Sequence, residues 1–337
     1  MPNALTGTTQ VSNLVVTAYD KLVEFALRGQ PQFRTYATKK PGDVTSPGET
    51  VVFQLYNDLA PATAALDQYT DPDAVALPNT KTVAVVLNEY GNASITTRRM
   101  SLVTIDDVEE ALGDIIAYNM ADSMDILAQN AITGKFTTIA PTGSGGAVTV
   151  LAANSGITYG TALDGGTGTG GANLVDTTHL LNSRTVRWAV TRLRARNVVP
   201  TQGQYYTAMI HPEVAVDLRE ETGAAAWREP NLGQDTIWRG ALGVYEGAVF
   251  VENSRAYNGR VGVGTNPNQA RVYSSFFFGQ QAIAEAVKEE PHVVIGNITD
   301  KLMRFRPIGW YGFLGWNAYR TEAAIQVLTS SSVRPGA

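Results

Sequence analysis

The longest regular pattern in the chain covers residues 105–132, IDDVEEALGDIIAYNMADSMDILAQNAI. Its apolar residues recur at the three- and four-residue spacing of an α-helix. They are Val108, Leu112, Ile115, Ile116, Met120, Met124, Leu127 and Ala131. Thr104 is a suitable N-cap, the acids that follow it suit the positive end of the helix dipole, and Gly134 ends the pattern. A helix of this length spans about 40 Å, so the stretch predicts a spine on which other segments pack.

Upstream of this helix, residues 49–99 predict two long strands joined by an irregular tip. The first strand, 51–59, alternates apolar and polar residues, and the second, 80–97, contains a β-branched run at 82–86. Three prolines and three aspartates between the strands exclude regular structure there. A ribbon of two strands is marginal in water by itself. We therefore expect a projecting hairpin that needs a neighbour.

The remaining segments indicate further domains, because 337 residues exceed the size at which one hydrophobic core usually stops growing. Helices are predicted at 176–196, capped by Asp or Thr, and from His211 with Pro212 at its first position. Strands are predicted at 204–210, 271–278 and 292–295, and two or more within 302–328. The predicted organisation begins with an N-terminal arm at 1–48, an extended loop at 49–99 and a spine helix at 100–136. A Gly/Ser/Thr-rich insertion loop follows at 137–175, in which 148–151 forms a small hairpin, then an α/β region at 176–300, and returning strands with a C-terminal tail at 301–337.

Composition narrows the function classes. A formal charge of -5 argues against a surface that binds phosphate backbones throughout. The absence of cysteine excludes thiolate nucleophiles, disulfides and cysteine-ligated metals. No signal peptide or 18-residue apolar window supports secretion or membrane insertion.

Candidate chemical motifs are weak. A GxGxxG match at Gly166, Gly168 and Gly171 lies in a Gly/Thr tract rather than between a strand and a helix, so a loop is favoured. The three histidines, at 179, 211 and 292, are widely separated, and the acids at 106–110 are explained by the helix dipole. The sequence therefore predicts no catalytic, cofactor-binding or metal site, and no enzyme.

Charge is segregated between the arm and the extended loop. Residues 1–40 contain five basic residues and two acids, a net +3, whereas residues 41–80 contain six acids and no basic residue, a net -6. Such complementarity favours contact between subunits and adds specificity more than affinity. The predicted intersubunit residues are Lys21, Arg28, Arg34, Lys39, Lys40, Asp67, Asp71, Asp73 and Lys81.

The predicted helix at 176–196 is rich in arginine. Its basic residues are Arg184, Arg187, Arg192, Arg194 and Arg196. They do not keep one strict face, so contact with DNA and salt bridges between subunits both remain open.

The order of these segments resembles the Hong Kong 97 fold of tailed-phage major capsid proteins. Three stretches resemble that family in particular, at 41–53, 206–218 and 239–254. The resemblance implies an α+β fold with an N-terminal arm and an extended loop. It implies a peripheral domain that contains the spine helix at 100–136 and the returning strands at 301–337, and a mainly axial domain at 176–300. It also implies a chain that forms hexamers and pentamers of an icosahedral shell around phage DNA, in virions assembled in the host cytoplasm. The implied partners are further copies of the chain, scaffolding and portal proteins, a decoration protein in some relatives, and DNA through weak non-specific contact.

The chain departs from the family prototype in two respects. No long scaffolding-like helical segment precedes the arm, and the prototype's covalent cross-link cannot be transferred to Lys81. The alternatives are an encapsulin-like nanocompartment shell, an α/β enzyme with its site in 200–330, and a β-rich tail or adhesin component, against which the long helix argues.

Overall fold

A computed structural model describes residues 32–39, 49–56, 59–99 apart from 64, 67, 70, 72, 73, 77 and 79, then 108–142, 147–151, 175, 178–222, 243–260, 271–296, 302 and 304–333. Within these ranges helices and strands are mixed along the chain. The strands are β1 Ala37–Lys39, β2 Thr50–Leu55, β3 Lys81–Val86, β4 Asn88–Thr97, β5 Thr137–Thr142, β6 Ala147–Leu151, β7 Tyr206–Ile210, β8 Val244–Tyr245, β9 Ala248–Glu252, β10 Tyr257–Arg260, β11 Arg271–Phe278, β12 Ile283–Ile295, β13 Phe305–Ala318 and β14 Ala324–Thr329. The α-helices are α1 Val108–Ile132, α2 Ser183–Ala195 and α3 Pro212–Glu220.

The largest sheet has the order β6-β5-β14-β11-β7-β9-β8, with β10 paired to β11. Its central strands β7 and β14 are buried along their whole length, as expected of strands covered on both faces. Helices α2 and α3 cover the sheet through residues such as Val186, Leu193 and Leu218, which are fully buried. This cluster is the main core of the described residues.

The N-termini of α2 and α3 are fixed by side-chain caps. Asn182 accepts a hydrogen bond from the backbone N–H of Thr185 at 2.9 Å, so α2 begins at Ser183 and not at the predicted residue 176. The predicted start is wrong because an asparagine, and not the earlier Asp or Thr, satisfies the first turn. His211 caps α3 through Nδ1, and Pro212 occupies the first turn as predicted.

The spine helix α1 is confirmed from Val108 onwards; residues 105–107 and the predicted cap Thr104 lie outside the described residues. Its buried face differs from the predicted apolar stripe. Ile115 is half exposed, whereas Asp125 and Gln129 are fully buried. The predicted helical spacing is confirmed, but polar residues take part of the core-facing surface.

The extended ribbon is shorter than predicted. Strand β2 ends at Leu55, and the second predicted strand is divided at Leu87 into β3, which pairs with β2, and β4, which joins a sheet of order β1-β12-β13-β4. The N–H of the buried Leu87 donates to the carbonyl of Glu49 at 2.7 Å, at the point where the chain changes sheet. Strands of six residues reach about 20 Å, so the paired part of the ribbon is shorter than the predicted strands at 51–59 and 80–97.

Residues 137–142 correct the predicted insertion loop. Strand β5 lies between β14 and β6 in the large sheet, parallel to β14, and Thr138, Ile139 and Ala140 are buried. The hairpin predicted around 148–151 is confirmed as β5–β6. Apart from Val175, the other loop residues, at 143–146 and 152–174, lie outside the described set.

The chain divides into two compact units. Among the described residues, unit 1 contains 91–120 and 292–311, and unit 2 contains the rest. In unit 1 the indole of Trp310 donates to the side-chain oxygen of Asn119 at 3.0 Å, and the Thr96 hydroxyl donates to the carbonyl of Arg306 at 3.1 Å. A Cβ on Gly91 would lie 2.6 Å from the Trp310 carbonyl, so only glycine fits this approach.

Candidate assembly surfaces

The end of the N-terminal arm is anchored in the core. A 3-10 turn at Phe33–Tyr36 leads into β1. The Phe33 ring is fully buried and meets the rings of Phe276 and Phe278 edge to face, at centroid distances of 5.7 and 6.4 Å. Such aromatic pairs add stability beyond the area they bury. The arm is therefore held in the core of the chain at Phe33.

A buried carboxylate on α1 completes the anchor. Asp125 accepts hydrogen bonds from the Phe33 backbone N–H at 2.6 Å and from the Asn253 side chain at 3.3 Å. Arg255 reaches Asp125 at 3.4 Å and also pairs with Asp122. Because Asp125 is fully buried, these donors compensate the loss of hydration of its charge. The group ties the arm, the spine helix and the turn after β9 together.

A second charged group follows β1, which pairs in parallel with the start of β12. Arg34 Nε lies 2.7 Å from Glu285, and Arg34 Nη2 lies 2.6 Å from Glu290. Lys39 Nζ lies 3.1 Å from Glu290. Two basic residues of the arm are thus neutralised by two acids of β12 in the same chain.

The pKa values of Glu285 and Glu290 are shifted in opposite directions. Burial raises the pKa of Glu285 despite the opposing charge and hydrogen bond of Arg34. Burial also acts on Glu290, but its hydrogen bonds to Arg34 and Lys39 outweigh it, and the pKa of Glu290 is lowered. For Arg34, burial is outweighed by two carboxylates and its pKa is raised. The two acids differ because Glu285 is fully buried and pairs, among the described residues, with Arg34 alone, whereas Glu290 is exposed and pairs with both Arg34 and Lys39.

The base of the ribbon packs on its own chain. Phe53, Val85 and Leu87 are buried with Ala284 and Ala286. The Phe53 ring lies 5.3 Å from that of Tyr319. A Cβ on Gly315 would lie 2.1 Å from the carbonyl oxygen of Val86, so the ribbon approaches β13 at van der Waals distance there. The base is therefore held in a fixed position.

The tip of the ribbon, unlike its base, exposes apolar side chains. Between β2 and β3 the described residues expose several large apolar side chains. They are Tyr56, Leu59, Leu66, Tyr69 and Val75. Tyr69 is 88% exposed and Leu66 77% exposed. Exposed apolar residues in such number within a short segment mark an interaction surface.

The arginines of α2 fall into two groups. Arg184, Arg192 and Arg194 are exposed, and Arg192 also lies over the ring of Trp188 at 5.4 Å. Arg187 pairs with Glu246 at 3.0 Å, and Arg196 donates to the hydroxyl of Thr137 at 2.9 Å. The helix therefore presents some arginines to solvent and uses the others within the fold.

The structure brings some of the predicted contact residues together. Arg34 and Lys39 share Glu290, and Lys81 and Arg196 line one cavity. Asp71 is exposed. Lys21, Arg28, Lys40, Asp67 and Asp73 lie outside the described residues. The intersubunit role of the whole set stays a prediction, and the intrachain pairs of Arg34 and Lys39 are an additional finding.

Sequence reasoning missed Asp125, Glu285 and Glu290. The acid-rich run at 289–290 was visible, but it did not indicate which basic residues it meets. Asp125 sits within the helical pattern like a solvent-facing residue, and its partners are 92 to 130 positions away. No local signal identifies such pairs.

The described residues contain no cluster of three or more metal-ligating acids or histidines. Among the described helices, none is long and apolar enough to cross a membrane. His211 acts as a helix cap, a structural task. What the fold and its surfaces define is a subunit with an anchored arm, a fixed ribbon base and an exposed apolar tip.

Comparison with known proteins agrees with this class. The sequence profile described as "Phage capsid protein" matches residues 37–324, most of the chain, and the chain therefore belongs to this phage capsid protein family. No curated protein matches. The interpretation as a major capsid protein that forms the shell is confirmed, and the encapsulin alternative is not favoured.

Solved phage capsids have a similar fold. The capsid of cyanophage Pam1 is 14% identical, with a TM-score of 0.69 and coverage of 99% of this chain and 100% of that one. The capsid of Helicobacter pylori bacteriophage KHP30 is 12% identical, with a TM-score of 0.67 and coverage of 98% and 99%. The capsid of Ralstonia phage GP4 is 16% identical, with a TM-score of 0.65 and coverage of 95% and 96%. The Hong Kong 97-like α+β fold is thereby confirmed.

Proposed function

We propose that the chain assembles into hexamers and pentamers that close into an icosahedral shell around phage DNA, with no catalytic role. The observation that carries this proposal is the contrast within the ribbon. Its base is packed through Phe53 and Leu87, while its tip exposes Leu66 and Tyr69. A subunit built in this way buries its apolar tip only against another molecule.

Self-association accounts for this contrast better than an unrelated partner. One copy that gives its tip to a neighbour and receives a tip in turn forms a heterologous interface, and such interfaces close into rings when the rotation permits. Capsid subunits are present in many identical copies, so a single tip and a single receiving surface suffice. The predicted segments, from the arm at 1–48 to the returning strands at 301–337, are proposed to serve as arm, extended loop, peripheral domain and axial domain.

Further partners follow from the same role. We infer a scaffolding protein and a portal protein as assembly partners, a decoration protein as an optional one, and assembly in the host cytoplasm before the chain reaches the virion. These partners are supported by the family alone, and the residues that the structure describes single out no surface for them.

DNA is proposed as a weak, non-specific partner of α2. Arg184, Arg192 and Arg194 are its exposed arginines, and arginine binds phosphate readily. Replacing all three by alanine is expected to leave assembly intact and to lower the salt needed to release DNA from filled particles. The matched control is Arg187→Ala, because Arg187 is engaged with Glu246. Equal DNA release from all variants would contradict the contact.

Electron microscopy of the purified chain, alone and with its scaffolding protein, tests assembly directly. Rings of five or six subunits or closed particles are expected. Deleting the tip residues 60–79 and joining its ends by a short Gly/Ser turn is expected to leave a folded subunit that forms neither, because β2 and β3 keep their pairing. Shells formed by this deletion variant would contradict the proposed role of the tip.

A further inference from the structure

A cavity of about 560 Å³ lies where the tip end of the ribbon, the C-terminal end of α2 and the β13–β14 turn meet. Three basic residues line it, Lys81, Arg196 and Arg320, against the single acid Glu322. Its walls include the rings of Tyr56 and Tyr319. A concentration of positive charge beside aromatic surface is unusual in a chain whose net charge is -5.

Arg196, one of the residues that line this cavity, has a side-chain nitrogen without a hydrogen-bond partner in the part of the chain that the structure describes. Its Nη2 donates to Thr137, whereas Nη1 is buried and has no hydrogen-bond partner among the described residues. Burial lowers the pKa of Arg196, and the neighbouring charge of Arg192 lowers it further, while Glu322 acts in the opposite sense. A buried donor without an acceptor is costly, and a carboxylate would satisfy it through a charge-assisted hydrogen bond.

We propose that this cavity receives the acidic ribbon tip of a second copy, with the carboxylate of Asp71 bound by Arg196 and Arg320. The inference rests on the proposed self-assembly, since it needs a second copy, and it names the receiving surface. Residues 41–80 carry six acids and no basic residue, so the tip and the cavity are opposite in charge. Asp71 is exposed and lies two positions from Tyr69, which suits a cavity with both basic and aromatic walls.

Each copy then carries both halves of the contact. Its tip leaves from Tyr56 and returns at Lys81, and the ends of the same ribbon form one wall of its own cavity. A neighbour's tip bound in the cavity would therefore contact the ends of the receiving copy's own ribbon and stabilise the position of that copy's tip. Such a head-to-tail arrangement has the symmetry of a ring.

A carboxylate suits the cavity better than the phosphates of nucleic acid. The cavity lies at the C-terminal end of α2, where helix carbonyls disfavour dense negative charge. Glu322 adds a further acid at the same place. One carboxylate held by a guanidinium meets these conditions, whereas a phosphate backbone brings a charge with every nucleotide.

A charge exchange tests the assignment. The variants are Asp71→Arg, Arg320→Glu and the two combined, because Asp71 and Arg320 are both exposed and their replacement leaves the core unchanged. Each single variant is expected to raise the protein concentration needed for assembly at low salt about tenfold, a loss of about 1.4 kcal/mol per contact. The double variant is expected to recover most of that loss. Glu49→Lys, in the same acidic segment but at the ribbon base, is expected to assemble like the wild type.

Sedimentation velocity measures assembled and free chain, and circular dichroism verifies that each free variant is folded. Single variants that assemble normally, or a double variant no better than the singles, overturn the cavity assignment while the wild type still assembles. Arg320→Glu that assembles normally but retains less DNA also overturns it, in favour of a nucleic-acid occupant. A wild type that never assembles overturns the proposed function, and this inference with it.

Discussion

The backbone N–H of Phe33 donates a hydrogen bond to the buried carboxylate of Asp125 at 2.6 Å, across 92 positions of sequence. It joins the arm to the spine helix at a point where no water reaches the carboxylate. Arg34 and Lys39 continue the attachment along β12 through Glu285 and Glu290. A segment with no core of its own is thereby given a defined start within the subunit.

Replacing Asp125 tests this attachment. Asp125→Ala leaves the Phe33 N–H and Arg255 without their buried acceptor. Breaking a buried charged group in this way is expected to lower the free energy of unfolding by about 3–5 kcal/mol, measured by urea denaturation of the unassembled chain at fixed concentration. Asp122→Ala removes a partly exposed partner of the same arginine and is expected to cost about 1 kcal/mol or less. Equal losses for both variants would contradict the central position of Asp125.

Alanine substitutions at two glycines test whether the ribbon lies against β13. Gly315→Ala places a methyl group 2.1 Å from the Val86 carbonyl and is expected to lower the free energy of unfolding by about 1–3 kcal/mol. Gly113→Ala adds the same methyl group on α1, where nothing lies within 4 Å, and is expected to raise it by about 0.5–1 kcal/mol. Thermal denaturation of the two variants should shift in opposite directions. A neutral Gly315→Ala would mean that the ribbon does not rest on β13.

The pH dependence of stability should differ between Glu285 and Glu290. Burial raises the pKa of Glu285 above its ordinary value of 4.5, so the folded chain binds this proton more tightly than the unfolded chain. Its contribution to the unfolding free energy is present below that value and is lost as pH rises through the raised pKa. The pKa of Glu290 is lowered, so its contribution is present above the ordinary value and is lost as pH falls through the lowered pKa.

The measurement compares each acid with its glutamine variant from acid to neutral pH. Relative to Glu285→Gln, the wild type is expected to lose stability as pH rises. Relative to Glu290→Gln, the wild type is expected to gain stability as pH rises. Arg34 and Lys39 are the basic groups that face these acids, and they are the same in the wild type and in both variants. The same sign for both comparisons would refute the assignment.

A buried glutamine links the end of α1 to the large sheet. Gln326 accepts from the Gly134 N–H at 2.8 Å and donates to the Ser274 hydroxyl at 2.5 Å. Gln326→Leu leaves both groups buried without this partner and is expected to cost about 1–3 kcal/mol. Gln202→Leu, at an exposed position, is expected to change stability by about 0.5 kcal/mol or less. Urea denaturation checks the pair, and a tolerated Gln326→Leu would show that the polar link is dispensable.

Elements with a strong local signal were predicted well. The spacing along α1, the Pro212 start of α3 and the apolar run of β11 all correspond to observed elements. The prediction of one continuous second strand is wrong at Leu87, because a β-branched sequence pattern does not reveal where a chain passes from one sheet to another. The threonines of β5 resemble the glycine-rich tract that follows, so the sequence predicts a loop there. The prediction is wrong because β5 lies between β14 and β6 in the large sheet, where Thr138 is buried.

The attachment sites were the least predictable part. The segregation of charge indicated that the arm is basic, but the acids that meet it lie about 250 positions away on β12. Asp125 carries no local mark of burial, since its compensation comes from Phe33, Asn253 and Arg255. Long-range pairing of this kind is specified by the completed fold rather than by sequence spacing.

The most direct test of the shell-forming role is electron microscopy of the purified wild-type chain, alone and with its scaffolding protein, over a range of protein and salt concentrations. The account predicts rings of five and six subunits or closed icosahedral particles. A folded chain that stays monomeric under every one of these conditions would contradict it.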